Sequence, residues 1–404
     1  MFFEQAFKGN NHFGRYVLVT ILVFLAYQIG TIPLMLALWR AVDLDPNLDK
    51  DDIQSFMTEP NFSNFGINTN LGLTLMLLLF VAALVAFYFL FPPIHRRAFR
   101  TLSTTKSRLN WSKIFFAFFL WMGLSLAAEG FNYFLSPDDY SWNFKLNTFL
   151  PLLLLCIFIL PLQTSFEELF FRGYLMQGIG TARFQKVIGI CLGLGAAYLI
   201  YHTWGDALYE TVSSHPTIST LAQANVIAQL ACNTIILVLA FLFAYLGNRL
   251  STISTGSRIH NYKIVPLIIT SVLFGLMHSA NPEIEKFGFG TMQIYYISAG
   301  LMLGIMTVMD DGLELALGTH AATNFTGAVF VGYDGAAITT DSILKSHSLD
   351  ANLMTYAFLF LAIIFLIILK YKYKWSSFTK VLEPIDKPDE DQNVNQYIEM
   401  QPLA

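Results

Sequence analysis

Charge is the scarcest commodity in this sequence: only 13% of the 404 residues are Asp, Glu, Lys or Arg. A soluble domain of that length needs a far larger polar surface, so an ordinary cytosolic globule is excluded. Cysteine is nearly absent as well. Cys156, Cys191 and Cys232 stand alone inside apolar runs, which rules out a disulfide framework and a cysteine-based zinc site. No G-x-S-x-G, no H-E-x-x-H and no G-x-x-x-x-G-K-S/T occurs, so serine-elbow, zincin and P-loop chemistries have no support. No basic domain is present, and nucleic acid is not expected as a partner.

What fills the chain instead is hydrocarbon: 55% hydrophobic residues, 15% aromatics and a mean hydropathy of +0.53. Crossing ~30 Å of bilayer takes about 20 mostly apolar residues per helix. Runs of that kind recur at 16–39, 71–91, 114–134, from 148 into the FEELFFR stretch, and at 187–204, 226–247, 264–279, 291–309, 313–333 and 351–369. The fold class expected is therefore all-α, a polytopic transmembrane helical bundle of about 10 spans, with 8 to 10 as the range. Continuous apolar blocks of this length are not the alternating pattern of a membrane β-barrel.

Basic and acidic loops alternate. Arg96, Arg97, Arg100, Lys106, Arg108 and Lys113 follow the second run, whereas Asp43, Asp45, Asp49, Asp51, Asp52 and Glu59 follow the first. The lysine and arginine bias sets the first group inside and places both termini on the cytoplasmic side. The first run is long and lacks a small-residue cleavage site, so it reads as a retained anchor. Acidic, proline-containing residues 381–404 read as a disordered cytoplasmic tail.

Against this background three clusters of ionisable residues stand out, because a charge in hydrocarbon is costly unless it faces protein or water. The first is Glu167-Glu168-Leu-Phe-Phe-Arg172. On a helix Glu168 and Arg172 share a face in the favourable acid-before-base order, while Glu167 points about 100° away and stays free. An ordinary solvated pair at a helix end is the competing reading. Second comes Phe274-Gly-Leu-Met-His278, whose lone histidine taken by itself could be a packing residue. Third is His320-Ala-Ala-Thr-Asn324, where the i,i+4 spacing sets an imidazole beside an amide. Counted at 1.5 Å per residue from the basic flanks, Glu167 and His278 fall at similar depths of about 22 to 24 Å. A carboxylate, two histidines and an amide at compatible depth are what amide hydrolysis inside a membrane requires: a base for water and donors for an oxyanion.

The three motifs, in this order on successive membrane helices, resemble the CAAX protease and bacteriocin-processing family of intramembrane glutamate endopeptidases, and EELFFRGYL resembles its usual wording around the glutamates. The resemblance covers roughly 148–333. It implies Glu167 as general base, His278 as a residue positioning the water, His320 and Asn324 as the oxyanion hole, and Glu168 with Arg172 as a supporting ion pair. No cofactor is implied; if a zinc ion were held, Glu167, His278 and His320 would be its ligands. The partners expected are membrane lipid and a peptide or membrane-protein substrate, possibly lipidated, in a multi-pass protein of a bacterial inner membrane.

The chain divides accordingly into 1–147 with three spans, a 148–333 catalytic core, 334–380 with the last span, and the tail 381–404. It departs from the family in an apparent two-span insertion at about 183–263. Two alternatives to the endopeptidase use the same residues: a catalytically silent scaffold or immunity protein, and a transporter with Glu167, Arg172 and the histidines as a proton relay.

Overall fold

The computed structural model describes residues 1–58, 60–182, 195, 207, 210–215 and 262–385. The expected spans at 187–204 and 226–247, the two-span insertion and most of the 381–404 tail lie outside those residues.

Helices dominate what is described. They are α1 (Phe13–Leu44), α2 (Lys50–Thr58), α3 (Thr69–His95), α4 (Trp111–Leu135), α5 (Leu146–Phe158), α6 (Leu160–Glu168) and α7 (Met176–Thr181). Beyond the gap follow α8 (Ile264–Met277), α9 (Pro282–Phe287), α10 (Phe289–Asp310), α11 (Glu314–Phe325) and α12 (Ala351–Tyr373). Six stretches among the described residues are long and apolar enough to cross a membrane, with Leu146–Thr181 counted as one. The span count read from the sequence is thus supported only as far as a polytopic all-helical bundle. Residues 313–333, expected as one span, form α11, a π-helical turn at Thr326–Phe330 and a strand at Val331–Tyr333. Val331–Tyr333 pairs with Leu344–Ser346 there, and the Gly332 N–H donates to Ser342 Oγ at 3.0 Å, which a lipid-facing helix could not do.

Helix ends are written by local chemistry. The side chain of Asn68 accepts from the backbone N–H groups of Asn70 and Leu71 to start α3, and Asp350 does the same for Asn352 and Leu353 at α12. Such caps satisfy donors that no intrahelical carbonyl can reach. Arg96 and Lys374 stop α3 and α12 in the left-handed region, at φ 50° and 52°.

Two helix pairs pack through small residues. A Cβ on Gly30 of α1 would collide with the Leu79 Cα of α3, and one on Gly318 of α11 would collide with the Ile114 carbonyl of α4. Close backbone approach of this kind is how helices associate where lipid supplies no hydrophobic drive. Trp121 of α4 adds a hydrogen bond from Nε1 to Thr323 Oγ1 of α11 at 2.8 Å.

At one end of the bundle the charged residues pair across elements. Lys113 bonds Asp310 at 2.6 Å, Lys380 bonds Asp311 at 2.8 Å, and Lys263 bonds Glu383 at 2.6 Å. The opposite end is closed by a three-stranded sheet in the order β1 (Tyr140–Trp142), β3 (Leu344–Ser346), β2 (Val331–Tyr333). β1 runs antiparallel to β3, with Tyr140 opposite Ser346, and β2 runs parallel to β3. Short strands here depart from a purely helical reading of the chain.

Beneath the sheet lies Glu283 of α9, 4% exposed. Its Oε1 accepts from the Ala337 N–H at 2.8 Å and the Tyr333 hydroxyl at 3.3 Å. Burial raises its pKa above the ordinary 4.5, with those hydrogen bonds opposing the shift. The folded chain therefore holds a proton that the unfolded chain releases, so stability is greatest below 4.5 and falls as pH climbs through the raised value. Glu283→Gln should flatten the dependence of Tm on pH above 4.5, as read by thermal unfolding in detergent; an unchanged slope would remove this carboxyl as its source. The same assay should show Gly318→Ala costing about 1 to 3 kcal/mol, while Gly327→Ala, with nothing within 4 Å of its added Cβ, costs little.

Candidate active site

The chain from Leu146 to Thr181 does not run as one regular helix. Pro161 lacks the N–H that would continue α5, so the path breaks at Ile159 and restarts as α6. α6 carries Gln163, Glu167 and Glu168 and passes into a π-helical segment, Leu169–Leu175, that holds Arg172. A second π turn follows α11, the helix of His320 and Asn324. Wide turns of this type cluster at functional sites, and here each adjoins one of the sequence motifs.

The ion pair expected from spacing is present: Arg172 Nη1 donates to Glu168 Oε1 at 2.9 Å, with neither side chain exposed. The same carboxylate oxygen faces His320 Nδ1 at 2.8 Å, so α6 and α11 are joined through one atom. A carboxylate placed there without partners would cost several kcal/mol, and two cationic or donor groups converge on it instead. The Arg172 guanidinium also lies 4.1 Å from the centre of the Phe274 ring, a cation–π contact that offsets the lack of protein partners for its Nε and Nη2.

Glu167 sits differently. It keeps 7% exposure where Glu168 has 0%, which preserves the distinction between a structural carboxylate and an available one. Its Oε1 accepts from Gln163 Nε2 at 2.6 Å. Its Oε2 is buried, makes no hydrogen bond and lies within ion-pair distance of His320 Nε2, at 3.6 Å. Asn324 Nδ2 donates to Gln163 Oε1 at 2.9 Å.

His278 caps the C-terminus of α8, one residue beyond the helix. Its Nδ1 bonds the Phe274 carbonyl oxygen at 2.7 Å, which leaves Nε2 as the ring nitrogen available to a substrate or water. Phe274 and Tyr296 sandwich the imidazole, with ring centres at 4.5 and 4.2 Å. Phe274 is also 5.8 Å from the His320 ring, so this one phenyl group touches both histidines and the arginine. Glu167, His320 and Arg172 are the charged side chains whose fields reach His278.

Glu167, Glu168, Arg172 and His320 are thus gathered through direct contacts, Asn324 joins them through Gln163, and His278 through Phe274. Gln163 escaped the sequence reading, although its position four residues before Glu167, a lone amide in an apolar run, is the signal that could have found it. Among the described residues no group of three or more His, Cys, Asp or Glu is arranged to hold a metal ion. Each histidine has its Nδ1 bonded within the protein, His320 to Glu168 and His278 to the Phe274 carbonyl, which leaves Nε2 of both rings. The apolar groove of about 430 Å³ between α3 and α5, lined by Asn70, Leu71, Pro151 and Phe158 among others, contains none of these residues.

Removing Arg172 should be far worse than removing both charges. Arg172→Met leaves Glu168 buried with one partner fewer and should cost about 3 to 5 kcal/mol, whereas Glu168→Gln with Arg172→Met should recover most of that loss. Thermal unfolding of the purified variants decides it; an additive double variant would contradict the buried pairing.

A protein-family model described as type II CAAX prenyl endopeptidase Rce1-like matches residues 240–326, a stretch that holds both histidine motifs and not the glutamate pair. The chain is 24% identical over 330 residues to the uncharacterized protein YyaK of Bacillus subtilis (strain 168), covering 81% of each. No solved structure matches. The resemblance to the CAAX-protease-like family carried by the three motifs is therefore borne out.

Proposed function

We propose that the chain is an intramembrane endopeptidase in which Glu167 activates water for hydrolysis of a peptide bond near the cytoplasmic leaflet. The observation that carries the reading is Glu167 Oε2, a buried carboxylate oxygen that makes no hydrogen bond and faces His320 Nε2 at 3.6 Å. The lysine and arginine bias of the loops supports placing both termini on the cytoplasmic side, and the Bacillus relative supports a bacterial inner membrane.

In this mechanism Glu167 takes a proton from water as the water oxygen bonds to the scissile carbonyl carbon. The carbonyl π electrons move to oxygen. Asn324 Nδ2 offers its second N–H to that oxyanion, and His320 offers Nε2–H. Collapse of the intermediate breaks the C–N bond, and Glu167 returns the proton to the departing amine. His278, with Nδ1 tied to backbone, presents Nε2 to hold the water.

Geometry supports the part given to His320: its Nδ1 lies 2.8 Å from Glu168 Oε1, which turns the far side of the ring toward Glu167. Glu168 and Arg172 act by fixing that ring.

The family match supports a membrane-embedded or lipidated peptide as the substrate class. The test is reconstitution in liposomes with a quenched peptide ending in a farnesylated CaaX sequence, alongside mass spectrometry of new peptide termini in membranes with and without the protein. Glu167→Gln should lower cleavage at least about 10²-fold, as loss of a general base does, with Tm close to wild type. Equal cleavage by that variant would end the proposal.

A further inference from the structure

We propose that Gln163 is a positioning residue that couples the general base to the oxyanion donor. The inference rests on the endopeptidase reading and adds to it a residue outside the three motifs.

Three observations carry it. Gln163 is 6% exposed, and both ends of its amide are used: Nε2 donates to Glu167 Oε1 at 2.6 Å and Oε1 accepts from Asn324 Nδ2 at 2.9 Å. The two partners come from elements far apart in sequence, α6 and α11, so the amide spans the site. Each of those partners has more than one way to point, and one amide removes that freedom from both.

The polarity of the bridge is fixed by chemistry. A carboxylate can only accept, so Nε2 must face Glu167 and Oε1 must face Asn324. Asn324 must then donate, which sets the flip of its own amide. With Gln163 in place, Glu167 presents Oε2 toward His320 Nε2, and Asn324 keeps one N–H for substrate. Without it, Glu167 loses a charge-assisted hydrogen bond, and the Asn324 amide is free to turn its oxygen toward the place where the oxyanion develops. Positioning of this kind acts on the chemical step rather than on substrate affinity.

The geometry also separates this role from packing. Cys156, one to two turns earlier on the same path and 1% exposed, fills space without touching the cluster. Truncating it tests stability alone.

The experiment uses the full chain in liposomes and two readouts. The first needs no substrate: labelling of Glu167 by dicyclohexylcarbodiimide, an apolar reagent that adds to carboxyl groups shielded from water, quantified by mass spectrometry with Glu168 as internal reference. Gln163→Met should speed labelling of Glu167 by about fivefold or more, the order expected when a hydrogen bond to a charged group is lost, and Cys156→Ala should not. The second is cleavage of the farnesylated peptide. Gln163→Met should lower kcat about 10- to 100-fold with KM within about threefold, and in an Asn324→Ala background it should cost less than in the wild type, because the bridge is already broken. If Gln163→Met matches Cys156→Ala in labelling, or adds its full cost to Asn324→Ala, the bridge is refuted. If the wild type cleaves nothing but the labelling shift appears, the peptidase reading fails and the Gln163–Glu167 contact stands.

Discussion

The candidate site depends on one oxygen atom. Glu168 Oε1 receives Arg172 from the same helix and faces His320 from another, and both carboxylate and guanidinium are wholly shielded from solvent. In water such contacts would be worth little, since competing solvent satisfies each partner separately. In a low-dielectric interior the alternatives vanish, and the three groups are held in one arrangement by the cost of every other. That rigidity passes to the ring of His320, whose far nitrogen is aimed at Glu167. A carboxylate wholly shielded from solvent thereby sets the orientation of the ring beside Glu167.

Much of this was legible before any coordinates. Four-residue spacing assigned Glu168 to Arg172 because helical geometry leaves few other partners for either, and the His320/Asn324 pair was recognisable because two polar groups one turn apart in an apolar stretch have few bland explanations. Other features were out of reach for identifiable reasons. The bridge made by Gln163 depends on the azimuthal rotation of α6 against α11, which periodicity does not encode. Phe274 was visible as part of a motif, but its contact with Arg172 and both imidazoles is a tertiary fact. The strand at Val331–Tyr333 was hidden because its residues are as apolar as a span, and only pairing with distant Leu344–Ser346 reveals it.

Backbone irregularity and function coincide in this fold. The Pro161 break and the π-helical segment at Leu169–Leu175 bracket the glutamate pair, and Thr326–Phe330 follows Asn324 directly. A π turn carries one more residue than an α turn and rotates everything beyond it. Regular helices would distribute Glu167, Arg172 and their neighbours by the 3.6-residue repeat alone; the wide turns let successive side chains be aimed more independently. Local helical stability is exchanged for aim, and the surrounding packing of Leu160, Phe166 and Tyr174, all buried, holds the irregular stretch in place.

The small sheet constrains how this bundle can deform. Its strands come from the link between α4 and α5 and from two neighbouring stretches between α11 and α12, and they fasten the ends of those helices through interstrand bonds of fixed length and direction. Hinges form where tethers are short and strong, and seams part where they are absent. Any separation of these four helices is therefore most constrained at the stitched end.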